Sequence, residues 1–190
     1  MNTPAHVVLS MLCLGRQDTA NLLTPVIFGA VLPDAPIFAF YFIERVVKGT
    51  SESIIWREAY YREGWQNLID FFNSVPLIII GFIVTAWAGS RIGMALFSSM
   101  FLHVLGDLPL HHHDAHRHFF PFSNWRFESP VSYWDPAFHG DLITRLEILL
   151  VIASCIILLL TYQSLPAKIS VGLVGLSYIA YFVYVLVVWV

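Results

Sequence analysis

Charge is scarce in this chain: only 12% of its 190 residues are Asp, Glu, Lys or Arg, against about 25% in an ordinary soluble domain. With 57% hydrophobic residues and a mean hydropathy of +0.70, water is excluded as its main solvent. Cysteine is equally sparse. Cys13 and Cys155 each sit in an apolar run, outside any CxxC or zinc-finger spacing, and read as plain helix residues. No GxSxG, P-loop, GxGxxG or HExxH is present, which removes the simplest serine-hydrolase, nucleotide-binding and zincin readings. The net charge is −3 and the basic residues are scattered, so no nucleic-acid-binding surface is evident. The start, MNTPAHVVLSMLCLGRQ, lacks the basic region and cleavage site of a signal peptide and is expected to remain in the mature protein. Without a polar linker, residues 1–190 are expected to form a single domain.

What the chain has instead is long apolar runs. A bilayer core needs roughly 20 apolar residues in helix. Residues 145–163 and 169–190 meet that length and are separated by SLPAK, whose Pro166 predicts a tight helical hairpin facing lipid. A second hairpin is expected from 70–88 and 92–108. Segment 22–43 is also long enough, but Pro33, Asp34 and Pro36 lie at its middle. Proline removes a backbone donor and clashes with the preceding turn, so a broken helix is predicted, with Asp34 facing the protein interior. Residues 4–15 predict a short interfacial or partly inserted helix, and SESIIWREAYYREGWQNLI an amphipathic surface helix. The expected fold is an all-α, integral membrane helical bundle of about five membrane-embedded helices, plus these two. The two polar stretches, 44–69 and 109–143, then share one side. That side carries seven Lys or Arg residues against Arg16, Arg91 and Lys168 opposite, which makes it cytoplasmic by the positive-inside rule.

Six of the eight histidines crowd into HVLGDLPLHHHDAHRH, from His103 to His118. His103 and Asp107, at i and i+4, share one helix face. An imidazole and a carboxylate so placed suit a divalent ion such as zinc or manganese; the structural alternative is a capping carboxylate beside a buried histidine. Zinc usually takes four ligands, so the loop histidines cannot all bind. His111 and His113 are the preferred ones because Pro109 fixes the turn before them; a solvated, pH-sensitive patch is the alternative. Asp34 is an acid at membrane depth, either a ligand or a cap for the second half-helix. Asp70 and Asn73, at i and i+3, open a predicted transmembrane helix, and Asp70 is equally a cap. His6 lies at the start of the first helix. In SPVSYWDPAFHGDLITRLE, His139 is a further candidate ligand, and Glu147 points either to headgroups or into the cluster; Asp141 reads as a helix cap and Asp135 as a turn residue. Heme ligation by paired histidines is disfavoured by the neighbouring carboxylates, which suit a harder ion.

The order TPAH, GAVLPD, DFFNS and HxxxD, carrying His6, Gly29, Asp34, Asp70, Asn73, His103 and Asp107 over residues 1–118, resembles the bacterial inner-membrane family described as membrane-bound metal-dependent hydrolases. YWDPAFHG extends it. HVLGDLPLHHH is similar to the HxxGD…PxH signature of the zinc-dependent phospholipase C and single-strand nuclease superfamily, with the proline two residues early. That likeness implies metal ligands at His103, Asp107 and one of His111 or His113. One departure is plain: where the first family has a histidine in the helix opening, often as a THS-like triplet, this chain has Asn73 and Ser74, and an amide carbonyl is a poor zinc ligand. Together these readings predict a metal-dependent hydrolase of the bacterial inner membrane, acting on a lipid or another phosphoester. His6, Asp34, Asn73, His103, Asp107, His111, His113 and His139 are the candidate metal ligands; Asp70 or Glu147 is the candidate general base. A non-catalytic metal-binding membrane protein, a transporter or sensor, is the alternative, since such proteins share intramembrane acids and broken helices.

Overall fold

The computed structural model describes residues 1–15 and 20–188; Arg16, one of the residues in the charge count above, lies outside the described residues. Every regular element among the described residues is helical. Three stretches are long and apolar enough to cross a membrane: Asn21–Val47, Gly140–Thr161 and Leu165–Tyr184.

The first stretch comprises α2 (Ala20–Val31), a 3₁₀ turn at Leu32–Asp34, α3 (Ala35–Tyr41) and a π-helical end at Phe42–Val47. The break expected at Pro33 and Pro36 is thus a change of winding rather than a gap. Pro33 sits at the start of the 3₁₀ turn and Pro36 at the start of α3, where their missing N–H groups cost least. α8 (Gly140–Thr161) and α9 (Leu165–Val188) form the predicted hairpin, and outward leucines and isoleucines such as Leu149, Ile156, Leu160 and Leu173 are exposed, as lipid-facing residues would be.

The second predicted hairpin needs correction. Residues 70–88 do not form one helix: α5 (Glu63–Phe72) ends at Asn73, and α6 (Val75–Trp87) starts afresh with Ser74 as its N-cap and Pro76 in its first turn. The two meet at a 40° bend, and only if counted as one span do they raise the total to four. α7 (Arg91–Asp107) has 17 residues, about 25 Å at 1.5 Å per residue, short of a bilayer core of about 30 Å. The described residues therefore supply three spans, or four with the bent pair, in place of about five. The predicted surface helix also divides, into a short helical and π-helical piece over 52–59 and α5, because Arg62 is extended.

α1 (Thr3–Leu14), expected as an interfacial or partly inserted helix, packs into the bundle. Its Ala5, His6, Val7, Val8, Ser10 and Met11 are buried, and Val7, Val8 and Met11 join Val26, Ala30, Leu158 and Val171 in the core. α2 and α7 run in close contact at Gly29, where a Cβ would meet the Leu96 carbonyl oxygen at 2.3 Å. Only glycine allows that approach, and Ser99 Oγ seals it by donating to the Val26 carbonyl at 2.6 Å. One end of α7 is thereby brought against the 3₁₀ turn of the first span and the start of α1.

Candidate metal centre

His103 is wholly buried near the end of α7. Its Nδ1 lies 2.7 Å from the Ala30 carbonyl oxygen. A carbonyl only accepts, so Nδ1 carries a proton, and Nε2 is the atom that would ligate once its own proton leaves, the usual arrangement behind a metal-bound histidine. That Nε2 lies 3.0 Å from Asp107 Oδ2 and 3.5 Å from Asp34 Oδ1, out of line for a hydrogen bond. Three acceptors facing one another need a second proton or a cation among them.

His6, delivered by α1, stacks on His103 with ring centroids 3.6 Å apart, and its Nε2 reaches Asp107 Oδ1 at 2.9 Å. The Met1 amino group lies 2.5 Å from the same oxygen. Asp34 is buried and accepts from Thr3 Oγ1 at 2.5 Å; although it stands at the N-cap of α3, its side chain makes no capping hydrogen bond. Ligand atoms of His6, His103 and Asp107 all lie within 4.8 Å of one another.

A second group shares Asp107: its carboxylate and ligand atoms of His111 and His116 also lie within 4.8 Å of one another. His111, one helical turn beyond Asp107, places Nε2 3.3 Å from Asp107 Oδ1 and Nδ1 2.9 Å from Asp114 Oδ2. A carboxylate behind an imidazole orients ligating histidines widely. Burial would lower the His111 imidazole, but Asp107 and Asp114 outweigh it and lift it to about 9. His116 goes the other way: burial, then the neighbouring charge of His111, lower it to about 4, so it is neutral and free to ligate.

Around these groups the polar residues are fixed. Asp70, fully buried inside α5, accepts from the Arg117 backbone N–H at 3.0 Å and pairs with the Arg117 guanidinium. Arg117 in turn donates to Asn67 and Asn124, and Arg126 donates to Gln66 and the Ala115 carbonyl. Asp70 is therefore not the cap of a membrane helix; Ser74 takes that role. It stands 3.8 Å from His116 Nδ1, behind the second group. Asn73 donates to the Pro33 and Ile69 carbonyls at 3.2 and 3.0 Å, joining the bend to the 3₁₀ turn while its own Oδ1 has no partner.

Of the sequence-predicted ligands, His6, Asp34, His103, Asp107 and His111 come together. His113 and His139 do not. His113 is exposed, its ring edge-on to Phe138, and His139 is exposed at the N-cap of α8 with φ at +65°. Glu147 is buried and joins neither histidine group: Oε1 accepts from the Asn2 amide at 2.8 Å, next in sequence to Met1, and from Tyr178 at 2.9 Å. Asp135 is the turn residue expected, accepting from Ala137 N–H at 2.9 Å. His116 and Asp114 were not singled out, because in an irregular loop no period says which of six adjacent polar residues turns inward.

The donor set can be judged by what it leaves unsatisfied. Buried polar groups are normally hydrogen-bonded, yet His103 Nε2, His111 Nδ1 and Nε2, Asp114 Oδ1, Asn73 Oδ1 and Glu147 Oε2 are buried without a hydrogen-bond partner. These nitrogens and carboxylates fit zinc or manganese. Comparison with protein-family models, curated proteins and solved structures finds no match to this chain.

Proposed function

We propose that the chain is a membrane-embedded, metal-dependent hydrolase of phosphoesters, lipid phosphoesters included, at the membrane surface. The observation that carries this reading is the convergence of two histidine groups on one buried carboxylate, Asp107, with His103 Nε2 and His111 Nε2 free of hydrogen bonds. His6, Asp34, His103 and Asp107 would hold one divalent ion, and Asp107, His111 and His116 a second. Such ions supply a water activated toward a pKa of about 7 and cationic partners for phosphoryl oxygens.

The protein's own residues do the rest. Ala30 and Asp114 set the orientation of His103 and His111. Asp70, held by Arg117 and Arg126, backs His116. Glu147 is the better candidate for general base, since one of its oxygens has no partner whereas Asp70 is committed to arginine. The loop arginines support a cytoplasmic orientation of this end in a bacterial inner membrane.

Elemental analysis of the detergent-purified protein tests the reading, wild type beside a His103→Ala, Asp107→Ala variant. Zinc or manganese at one to two equivalents in the wild type and absent from the variant is the expected result, followed by metal-dependent turnover of a chromogenic phosphodiester or a short-chain phospholipid. Metal without turnover of either would move the assignment to a non-catalytic transporter or sensor, and a wild type without metal would overturn both.

A further inference from the structure

Tyr133 belongs to neither ligand group, yet it is held against the second one. Its backbone N–H donates to the Leu110 carbonyl at 2.9 Å, and its carbonyl accepts from Thr144 Oγ1 at 2.7 Å. The loop is thus tied on one side to the turn that follows α7 and on the other to the first turn of α8. Between these ties the phenol ring lies 5.0 Å from the His111 ring, tilted by 48°.

The residue is half-buried and its hydroxyl makes no hydrogen bond with the described residues, so the O–H is left to water or to a bound ligand. It is therefore an O–H donor held beside His111 with no partner of its own. A phenol that keeps its proton is a poor metal ligand and a good donor to an anionic oxygen.

We propose that Tyr133 is a substrate-contacting residue, its hydroxyl donating a hydrogen bond to a non-bridging oxygen of a phosphoryl group bound at the His111 side of the cluster. The inference rests on the hydrolase reading above and adds a donor that is not a metal ligand. A fixed donor aimed at an oxygen on which charge gathers is a recurrent device of acyl and phosphoryl transfer.

Inorganic phosphate is the probe. The full-length, detergent-purified, zinc-loaded protein is titrated with phosphate by calorimetry, as wild type and as Tyr133→Phe, which keeps the ring against His111 and removes only the hydroxyl. Equal zinc content, an unchanged thermal midpoint without phosphate and affinity weaker by about tenfold are expected, the size of one hydrogen bond to a charged group. Equal phosphate affinity in both proteins would overturn the role of Tyr133 and leave the hydrolase reading standing. Loss of zinc from Tyr133→Phe would likewise overturn it, assigning the residue to support of His111. No phosphate binding by the zinc-loaded wild type would overturn the hydrolase reading and this inference together.

Discussion

Replacing Gly29 by alanine should damage the metal centre without touching a ligand. The new Cβ would stand 2.3 Å from the Leu96 carbonyl oxygen and 2.9 Å from Ser99 Cβ. Both belong to a packed helix, and non-bonded atoms of this kind settle at about 3.5 Å, so α2 must withdraw from α7 by about 1 Å. Two hydrogen bonds cross that seam, Ser99 to Val26 at 2.6 Å and His103 to Ala30 at 2.7 Å. The same withdrawal stretches both past the length at which they count as hydrogen bonds. Overpacking and the two lost bonds together predict a destabilisation of about 3 kcal/mol. The metal should suffer separately, because Ala30 fixes the His103 ring and loss of such an outer partner costs about 10- to 100-fold in affinity. A competitive zinc titration with a chromogenic chelator, run beside thermal unfolding in the same detergent, measures both. Gly172→Ala in α9 is the control: nothing lies within 4 Å of its added Cβ, so zinc affinity should stay at the wild-type value. Wild-type zinc affinity in Gly29→Ala would refute the claim that the α2–α7 seam sets the ligand geometry.

Asp107→Asn should abolish binding at both groups, whereas His111→Ala should remove one equivalent of metal and leave the His6–His103 group loaded; equal loss in the two variants, by elemental analysis, would mean a single site. His113→Ala and His139→Ala should retain full metal content. Arg117→Ala leaves the wholly buried Asp70 with Arg126 at 3.7 Å as its remaining guanidinium among the described residues and should cost about 3 kcal/mol, the lower end of the usual penalty for breaking a buried pair; adding Asp70→Asn should restore most of it, and no recovery in thermal unfolding would count against the pairing. Before an ion binds, Asp107 and Asp114 keep His111 protonated up to about 9, so ligation must expel that proton. Zinc affinity should therefore rise with pH toward about 9 at the His111 group and toward about 10 at His103, where burial is outweighed by Asp34 and Asp107, with protons released into a weakly buffered solution below those points. Affinity independent of pH would exclude His111 as a ligand.

The parts of the site written in the sequence are those borne by regular helix. The i, i+4 pair of His103 and Asp107 needs only a helical period, and Asp34 announces itself as an acid between two prolines in an apolar run. The α8–α9 hairpin was legible for the same reason, since apolar length and one proline define it. His116 and His113 are three residues apart in an irregular loop, and which one turns inward depends on contacts made from far away: Val75 N–H to the His118 carbonyl at 2.9 Å and Ser74 Oγ to the Phe120 carbonyl at 2.5 Å. These stitch the loop to the α5–α6 bend, itself hidden in what reads as one apolar helix. The burial of α1 was likewise unreadable, because an apolar helix of 12 residues has the same composition at an interface as within a bundle.

The distribution of charge separates the candidate site from the rest of the molecule. Asp70 has Arg117 and Arg126; Glu44, almost wholly buried, has Lys48 at 2.7 Å and Arg62 at 3.4 Å; Glu52 has Arg45 at 3.2 Å. Asp34, Asp107 and Asp114 have no lysine or arginine within ion-pairing distance among the described residues. Their cationic neighbours are imidazoles and, for Asp107, the Met1 amino group. A carboxylate at the end of a membrane helix is costly to bury alone, by at least about 2.5 kcal/mol on insertion scales, and three within one cluster repel one another as well. Elsewhere the chain meets that cost with a permanent cation from its own sequence. At Asp34, Asp107 and Asp114 it supplies histidine, a base that can carry the balancing proton, as His111 does up to about 9, and can exchange it for a metal. A bound metal would take over that balancing charge from protons and the Met1 amino group, and chelation should destabilise the protein most where the acids lie, which hydrogen exchange at the start of α1 and the end of α7 would register.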